Sequence, residues 1–418
     1  MREIKVDVAV IGGGPAGLAA AIEAKDGGAE SVLILERDQS LGGILQQCIH
    51  DGFGLHRFGQ RLAGTEYAQR YVDMAAGRDI EIKLDTMVID LTGERVIYAV
   101  NPKDGMMRIE CGAVILAMGC RERTASQVYI YGYRPAGVLT AGSVQRYINI
   151  EGYLPGTRAV ILGSGDIGLI MARRMTLEGI RVEGVYEAMP NPGGLTRNIV
   201  QCLDDFNIPL HLSTTVVRVH GKQRIEGVTV AKVGPDLRAI EGTEEYIPCD
   251  LLVLAVGLIP ENELSRSARV ELDRKTKGPV LDNNMMTSVP GIFAAGNVAV
   301  VFDLVDYVSA SGVTAARGAL KFLKGEIALN AGYRAVNAGE NVNFVVPQRI
   351  RGDVSEETSF YLRVKKPMKN VQLTCAEEGA ALTVKRGSRA SHAAPPEMMA
   401  FTATPSGRAD LAVSVKEG

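Results

Sequence analysis

Gly12, Gly14 and Gly17, with Glu36 about twenty residues further on, have the type and spacing that hold the pyrophosphate and ribose of a nucleotide. The first glycine permits a tight turn, the second lets a pyrophosphate approach the backbone, and the third lets a helix pack closely on a strand. The carboxylate is placed to accept hydrogen bonds from ribose hydroxyls. The same set recurs 151 positions later (12 to 163). Gly12, Gly14, Gly17, Ala21, Glu36 and Gly42-Gly43 become Gly163, Gly165, Gly168, Ala172, Glu187 and Gly193-Gly194. A lone glycine fingerprint is a weak signal. Two in register, each with its strand, helix and terminal acid, imply two nucleotide sites in one chain.

The elements needed to position these residues are legible around each copy. An apolar strand (Val6 to Ile11; Ala159 to Leu162) runs into the glycine turn and then a helix, whose N-terminal amides favour an anion. A second strand (Ser31 to Leu35; Arg181 to Tyr186) ends at the acid. From Val182 to Pro192 there is no Arg or Lys, so the second site is read as preferring NAD(H), because Glu187 repels a 2′-phosphate.

Composition narrows the class. Lys+Arg 46 against Asp+Glu 48 leaves no bulk charge to steer the chain to nucleic acid or an anionic membrane. The longest apolar stretch, Leu251 to Pro260, is about half a membrane span, and the first strand begins without a signal-peptide pattern. The six cysteines are scattered, with no Cys-x-x-Cys and no histidine clustering, so no metal site is expected and a cytoplasmic, reducing setting is.

Between the fingerprints, Thr65 to Ala76 reads as a helix. Ile80 to Leu84, Met87 to Leu91, Val96 to Val100 and Met106 to Glu110 read as a β-meander, and Ala113 to Met118 as a buried closing strand before Gly119. The second half repeats this plan, with a meander (Thr214 to His220, Ile225 to Val233, Thr243 to Ile247) and a closing strand, Asp250 to Val256, before Gly257. Gly291 to Asn297 reads as a strand entering a turn, and Leu304 to Leu323 as a long helix. Beyond Asn330, short alternating stretches (Val342 to Val346, Ser359 to Val364, Val371 to Thr374, Ala381 to Val384, Met399 to Thr404, Leu411 to Val415) suggest a small antiparallel sandwich.

Residues 1 to about 326 resemble the two-dinucleotide-binding-domain flavoproteins, the pyridine nucleotide–disulfide oxidoreductases. The carriers are both fingerprints, Ala117-Met118-Gly119, and Gly291-Ile292-Phe293-Ala294-Ala295-Gly296. The resemblance implies an α/β fold of two Rossmann-like domains, FAD at the first fingerprint and NAD(H) at the second. The expected FAD-binding domain is 1–122 with 257–328, the NAD(P)H-binding domain is 123–256, and 329–418 is a β-sandwich-like domain. It implies FAD contacts at Gly12, Gly14, Gly17, Glu36, Gly43, Gly119, Gly296 and Asn297, and nicotinamide-nucleotide contacts at Gly163, Gly165, Gly168 and Glu187. Asn297 stands where the family usually has Asp.

A second departure concerns mechanism. Disulfide exchange needs an attacking and a resolving thiol, and the segment Gly42 to His50 offers only Cys48, so disulfide reductase activity is not expected. The run from Gly42 through Gly54, with Cys120-Arg121-Glu122-Arg123 and Arg134 to Val138, resembles a narrower branch. It includes flavin subunits associated with glycerol-3-phosphate dehydrogenases and subunits of sarcosine, opine and cyanide-forming oxidases. The resemblance puts Gln46 to His50 near the isoalloxazine, making Cys48 and His50 the candidate catalytic residues, although a lone cysteine is most often a small buried hydrophobe. Arg121 and Arg123 contact phosphate or a domain seam, or merely line a solvated face. The helix beginning near Asp303, with Asp303 as N-cap and Asp306 three residues on, aims its amides at the flavin pyrimidine by analogy.

The function expected is a FAD-dependent oxidoreductase taking hydride from NADH at flavin N5 and passing electrons to an acceptor or a partner subunit, in an oligomer. The alternative is a non-autonomous FAD electron-transfer or scaffold subunit beside a glycerol-3-phosphate dehydrogenase-like or amine/opine oxidase-like partner. The C-terminal segment is a docking or covering module, or a stability appendage.

Overall fold

The computed structural model describes residues 1–352, 354–377, 380–382, 384–386, 389–405 and 407–418. They group into two units, one made of Met1–Cys120 with Pro260–Gly418 and the other of Arg121–Ile259.

The first unit is built on the strand Arg2–Ile11, which pairs in parallel with Val32–Leu35 on one side and Gly105–Leu116 on the other. Its interior end, Val8 to Ile11, is buried on both faces, as an unbroken apolar run in a parallel sheet must be. Two expectations are corrected here. Glu81–Lys83 does not belong to a meander but pairs in parallel with Val32–Leu35 at the sheet edge. Met106 to Glu110 and Ala113 to Met118 are not two strands: one twelve-residue strand, Gly105–Leu116, serves both roles. Its first half pairs antiparallel with Val96–Asn101 and its second half parallel with Ile292–Ala294. Gly112 does not break it. That glycine is where the strand lies close against its neighbour, since a Cβ there would sit 2.9 Å from the carbonyl oxygen of Asp7.

Two helices cover this sheet in close contact. Pro15–Asp26 and Val305–Leu323 approach so tightly that a Cβ at Gly312 would lie 2.2 Å from the carbonyl oxygen of Ala16. Ala16, Ala19, Ala20, Ala315, Ala316 and Ala319 are buried with them, small side chains that allow the backbones to meet.

The second unit has a five-stranded parallel sheet in the order Val138–Thr140, Leu251–Leu254, Arg158–Leu162, Arg181–Tyr186, Leu210–His211. The helix Asp166–Leu177 packs on it through Leu169, Met171, Ala172 and Met175. A smaller sheet, Thr214–His220, Gly227–Lys232 and Glu245–Pro248 with Tyr131–Gly132 at its edge, packs Val216, Val228 and Val230 into one apolar core with Val160, Leu162 and Leu252 of the larger sheet.

Within the first unit, the C-terminal residues form two sheets around a shared core of Val342, Ile350, Phe360, Leu373, Cys375, Phe401 and Val413. Pairing is mostly antiparallel, but Tyr333–Ala338 runs parallel to Leu411–Glu417. The expected strand Ala381 to Val384 includes position 383, which lies outside the described residues; Ala380–Ala381 and Val384–Arg386 belong to different sheets.

Candidate dinucleotide sites

The two fingerprints share the same turn and the same glycine contacts. Gly12 (φ 106°) and Gly163 (φ 105°) take the left-handed turn that an L side chain resists. The N–H of each donates to the last residue of the neighbouring strand, Leu35 at 2.9 Å and Tyr186 at 2.7 Å. A Cβ on Gly12 would meet the carbonyl oxygen of Ala117 at 2.4 Å, and one on Gly163 that of Ala255 at 2.2 Å. The third glycines are closed from the helix side: a Cβ on Gly17 would lie 1.8 Å from the oxygen of Gly12, and one on Gly168 2.3 Å from that of Gly163.

The middle glycines differ. Both begin their helices in extended backbone, and a Cβ on Gly14 meets nothing nearer than Gly43 Cα at 3.9 Å, while one on Gly165 meets nothing within 4 Å. The fold therefore explains why the first and third positions are glycine and leaves the second open on its outer face. That open face lies at the N-terminus of a twelve-residue helix and has the room and the free amides to take an anion.

Each acid is held by backbone before any ligand arrives. Glu36, 6% exposed, accepts the Gly13 N–H at 2.7 Å on Oε2 and the Asp38 N–H at 2.9 Å on Oε1. Glu187 accepts the Ser164 N–H at 2.9 Å and its hydroxyl at 2.7 Å on Oε2, and the Met189 N–H at 2.9 Å on Oε1. Ser164 Oγ in turn accepts the Gly193 N–H at 2.9 Å, tying the Gly193-Gly194 loop to the acid. A carboxylate offers about four acceptor positions, so Glu36, with two taken, retains room for both hydroxyls of a diol, and Glu187, with three taken, for one hydroxyl. Sequence reasoning named the acids and the Ala117-Met118-Gly119 segment but missed Gly13, Ser164 and Ala255, which act through backbone groups and, at Ser164, a hydroxyl; their signal was position, one residue after the first glycine and at the end of the second closing strand.

In the first unit, Gly42 and Gly43 both have positive φ, and Gly43 faces Gly14, a Cβ on it lying 3.1 Å from Gly14 Cα. Gly296 (φ 67°) closes on Ala16, a Cβ there reaching 2.8 Å from the alanine methyl. Gly119 (φ 73°) has open space around it. Asn297 uses both ends of its amide within the protein: Oδ1 accepts the Phe302 N–H at 3.0 Å, and Nδ2 donates to Cys120 Sγ at 3.6 Å.

Cys48 ends the short 3-10 turn Gly43–Gln47, is buried, and donates its thiol to the Ile44 carbonyl at 3.4 Å. Burial pushes its pKa up to about 12. Reactive cysteines have theirs lowered. His50 is half-buried with its ring 5.2 Å from that of Phe53. In the second unit Glu122 accepts the Gly142 N–H on both carboxylate oxygens, at 2.9 and 3.0 Å, and so supports the first turn of the helix Ala141–Asn149.

The long helix is entered differently from expectation. Its N-cap is Leu304, and Asp303 is not a cap: its Oδ2 accepts the N–H of Met398, in the C-terminal module, at 2.7 Å. Burial outweighs that bond and the nearby Arg363, raising the Asp303 pKa. Asp306, also buried, accepts the backbone N–H groups of His56 at 3.5 Å and Arg57 at 3.2 Å. His56 stacks on Tyr307 at 6.2 Å and 11°, and Arg57 Nε donates to Tyr71 Oη at 3.1 Å. The long-range partners of these two aspartates were invisible in sequence, where a carboxylate beside a helix start reads as a cap.

Among the described residues, no group of three or more His, Cys, Asp or Glu is placed to hold a metal, and no helix is long and apolar enough to cross a membrane.

The fold is α/β with two Rossmann-like dinucleotide-binding domains and is similar to that of thioredoxin reductases. The thioredoxin reductase of T. acidophilum is 26% identical, with a TM-score of 0.62 over 76% of this chain and 98% of its own. The family model for pyridine nucleotide-disulphide oxidoreductases matches residues 6–320, and the chain belongs to that family, whose members bind FAD and use NAD(P)H. Among curated relatives, the hydrogen cyanide synthase subunit HcnB of Pseudomonas protegens is 28% identical over 279 residues, 63% of this chain and 58% of that protein. An opine oxidase subunit of Agrobacterium tumefaciens is 27% identical over 351 residues, 78% of this chain and 69% of that protein. The chain thus spans less than two thirds of the HcnB relative's length.

Proposed function

We propose that this protein is a FAD-dependent oxidoreductase that accepts hydride from NADH and passes electrons to an acceptor or partner subunit without a redox disulfide. The observation carrying the reading is the duplicated cradle, in which the first and third glycines of each copy are closed by backbone oxygens and the second alone is open. FAD, when bound, supplies the hydride acceptor. In the FAD-binding domain, residues 1–122 and 257–328, the turn at Gly12, the open face of Gly14 and the facing Gly43 hold the pyrophosphate. Gly17 sets the helix against the strand, Glu36 takes a ribose diol, and Gly119, Gly296 and Asn297 line the return of the chain. In the NAD(P)H-binding domain, residues 123–256, Gly163, Gly165, Gly168 and Glu187 do the same for NADH, with Glu187 disfavouring a 2′-phosphate. The module 329–418 completes the first unit.

The Cys48 thiol, held near pKa 12, supports chemistry without thiolate attack. His50, two residues further along the chain, is assigned the role of proton donor. Anaerobic titration tests the reading: bound flavin bleaches with NADH and much less readily with NADPH, while a disulfide reductase assay stays blank. A protein that bleaches with neither nicotinamide sinks it.

A second reading is favoured by two of the relatives, which are themselves subunits of oxidases or synthases. In it the chain is a non-autonomous flavin subunit beside an amine/opine oxidase-like or glycerol-3-phosphate dehydrogenase-like partner. Bleaching only through a copurified partner's substrate distinguishes the two.

A further inference from the structure

We propose that the C-terminal module forms part of the flavin site's wall, with Tyr361 and Asp303 as positioning residues that fix how the helix Val305–Leu323 leaves the FAD cradle. The inference rests on the reading of the first fingerprint as the FAD site.

The segment between Gly296 and that helix starts beside the cradle, since Gly296 closes on Ala16 in the first turn of the fingerprint helix. It and the first turn of the helix then carry four contacts to the module. The Arg363 guanidinium donates to the Val301 carbonyl at 3.1 Å, and Asp303 accepts the Met398 N–H at 2.7 Å. The Tyr361 ring meets Phe302 edge-on at 5.1 Å and Tyr307 at 5.5 Å and 61°. Phe302, Tyr361 and Met398 are all buried in the same apolar core as the fingerprint helix, and Val346 joins them. The module is fastened further back as well: Gln348 Oε1 accepts the Leu281 N–H at 2.9 Å, and the buried Arg351 faces the buried Asp282 at 3.7 Å.

A tethered arm meant only to reach a partner has no need of a shared core. Here the helix start has no side-chain cap of its own, and its path is set from outside by residues far along the chain, Met398 lying 95 positions from Asp303. Removing the Tyr361 ring takes an aromatic partner from both Phe302 and Tyr307, and removing the Asp303 carboxylate leaves the Met398 N–H without its acceptor. Either change frees the segment between Gly296 and Tyr307.

The test measures FAD affinity by fluorescence on the full-length apoprotein, together with the absorbance envelope of bound flavin, which reports the ring's surroundings independently of turnover. Tyr361→Ala and Asp303→Ala are expected to weaken FAD binding about tenfold or more and shift the envelope. Tyr361→Phe, which keeps the ring, and Asp303→Asn, which keeps an acceptor for Met398, should stay within about twofold of the parent. So should Lys416→Ala, at an exposed position of the strand Leu411–Glu417 in the same module. Should Tyr361→Ala not fold, the contrast between Asp303→Ala and Asp303→Asn decides. Folded Tyr361→Ala or Asp303→Ala proteins with the parent's affinity and spectrum overturn the proposal alone. A parent apoprotein that binds no FAD overturns the underlying reading of the cradle and the proposal with it.

Discussion

Gly14→Ala and Gly17→Ala separate a ligand's requirement from the fold's. At Gly17 a methyl would sit 1.8 Å from the Gly12 carbonyl oxygen, so helix and strand must part. Overpacking of that kind costs roughly 1–3 kcal/mol, set against about 1 kcal/mol gained from alanine's better helix propensity. Because the clash is with backbone, which cannot rotate away, the upper end applies. At about 2–4 °C of Tm per kcal/mol, the unliganded protein should melt roughly 4–8 °C lower. At Gly14 the methyl has 3.9 Å of room and the backbone, at φ −77°, suits any L residue. Its structural cost is a few tenths of a kcal/mol for a poorer N-cap, about 1 °C or less of Tm. It does, however, fill the open face where the pyrophosphate fits, and tenfold weaker FAD binding corresponds to about 1.4 kcal/mol. The expected pattern is a crossed one. Gly14→Ala keeps the unliganded Tm and loses at least tenfold in FAD affinity, whereas Gly17→Ala loses Tm. Scanning calorimetry of apoprotein and FAD titration measure the two. A Gly14→Ala protein that binds FAD like the parent would refute the assignment of that face to the ligand.

NADH should reduce the bound flavin with a markedly higher kcat/KM than NADPH, and Glu187→Ala should narrow the gap; equal rates in the parent would remove Glu187 from the ribose site. Cys48→Ser should retain FAD and most NADH-driven reduction, measured by stopped-flow absorbance, because the thiol it replaces stays protonated to about pH 12. The same raised pKa makes Cys48 a contributor to alkaline sensitivity. Its share of stability is fully present below the ordinary thiol value of 9.0 and is lost as pH rises toward 12, so Cys48→Ala should flatten the fall in Tm between pH 9 and 11. Finally, a chain ended near Asn330 should be aggregated or poor in FAD, since Phe302 and Tyr307 lose the Tyr361 ring packed on them; a soluble, yellow truncated protein would argue for a detachable module.

The sequence by itself determined the two cradles. Turn, pyrophosphate approach and helix–strand contact are local demands, met within each copy by residues a few positions apart, and a 151-residue offset makes the repetition visible without any structure. Apolar runs also placed the buried strands, because a strand covered on both faces has no polar alternation to blur it. What tertiary structure decided is where long-range partners meet. Whether Gly105–Leu116 is one strand or two depended on two different neighbours along its length, and Asp303 became a fastening for Met398 rather than a cap because the C-terminal module packs there. Cys48, readable as reactive from its loop, is a buried thiol because Gly64 packs against it, a Cβ on Gly64 lying only 2.6 Å from the Cys48 Cβ. Local spacing specifies what a short segment can bind; burial, and with it the protonation of a thiol or the partner of a carboxylate, is fixed only when distant segments close around it.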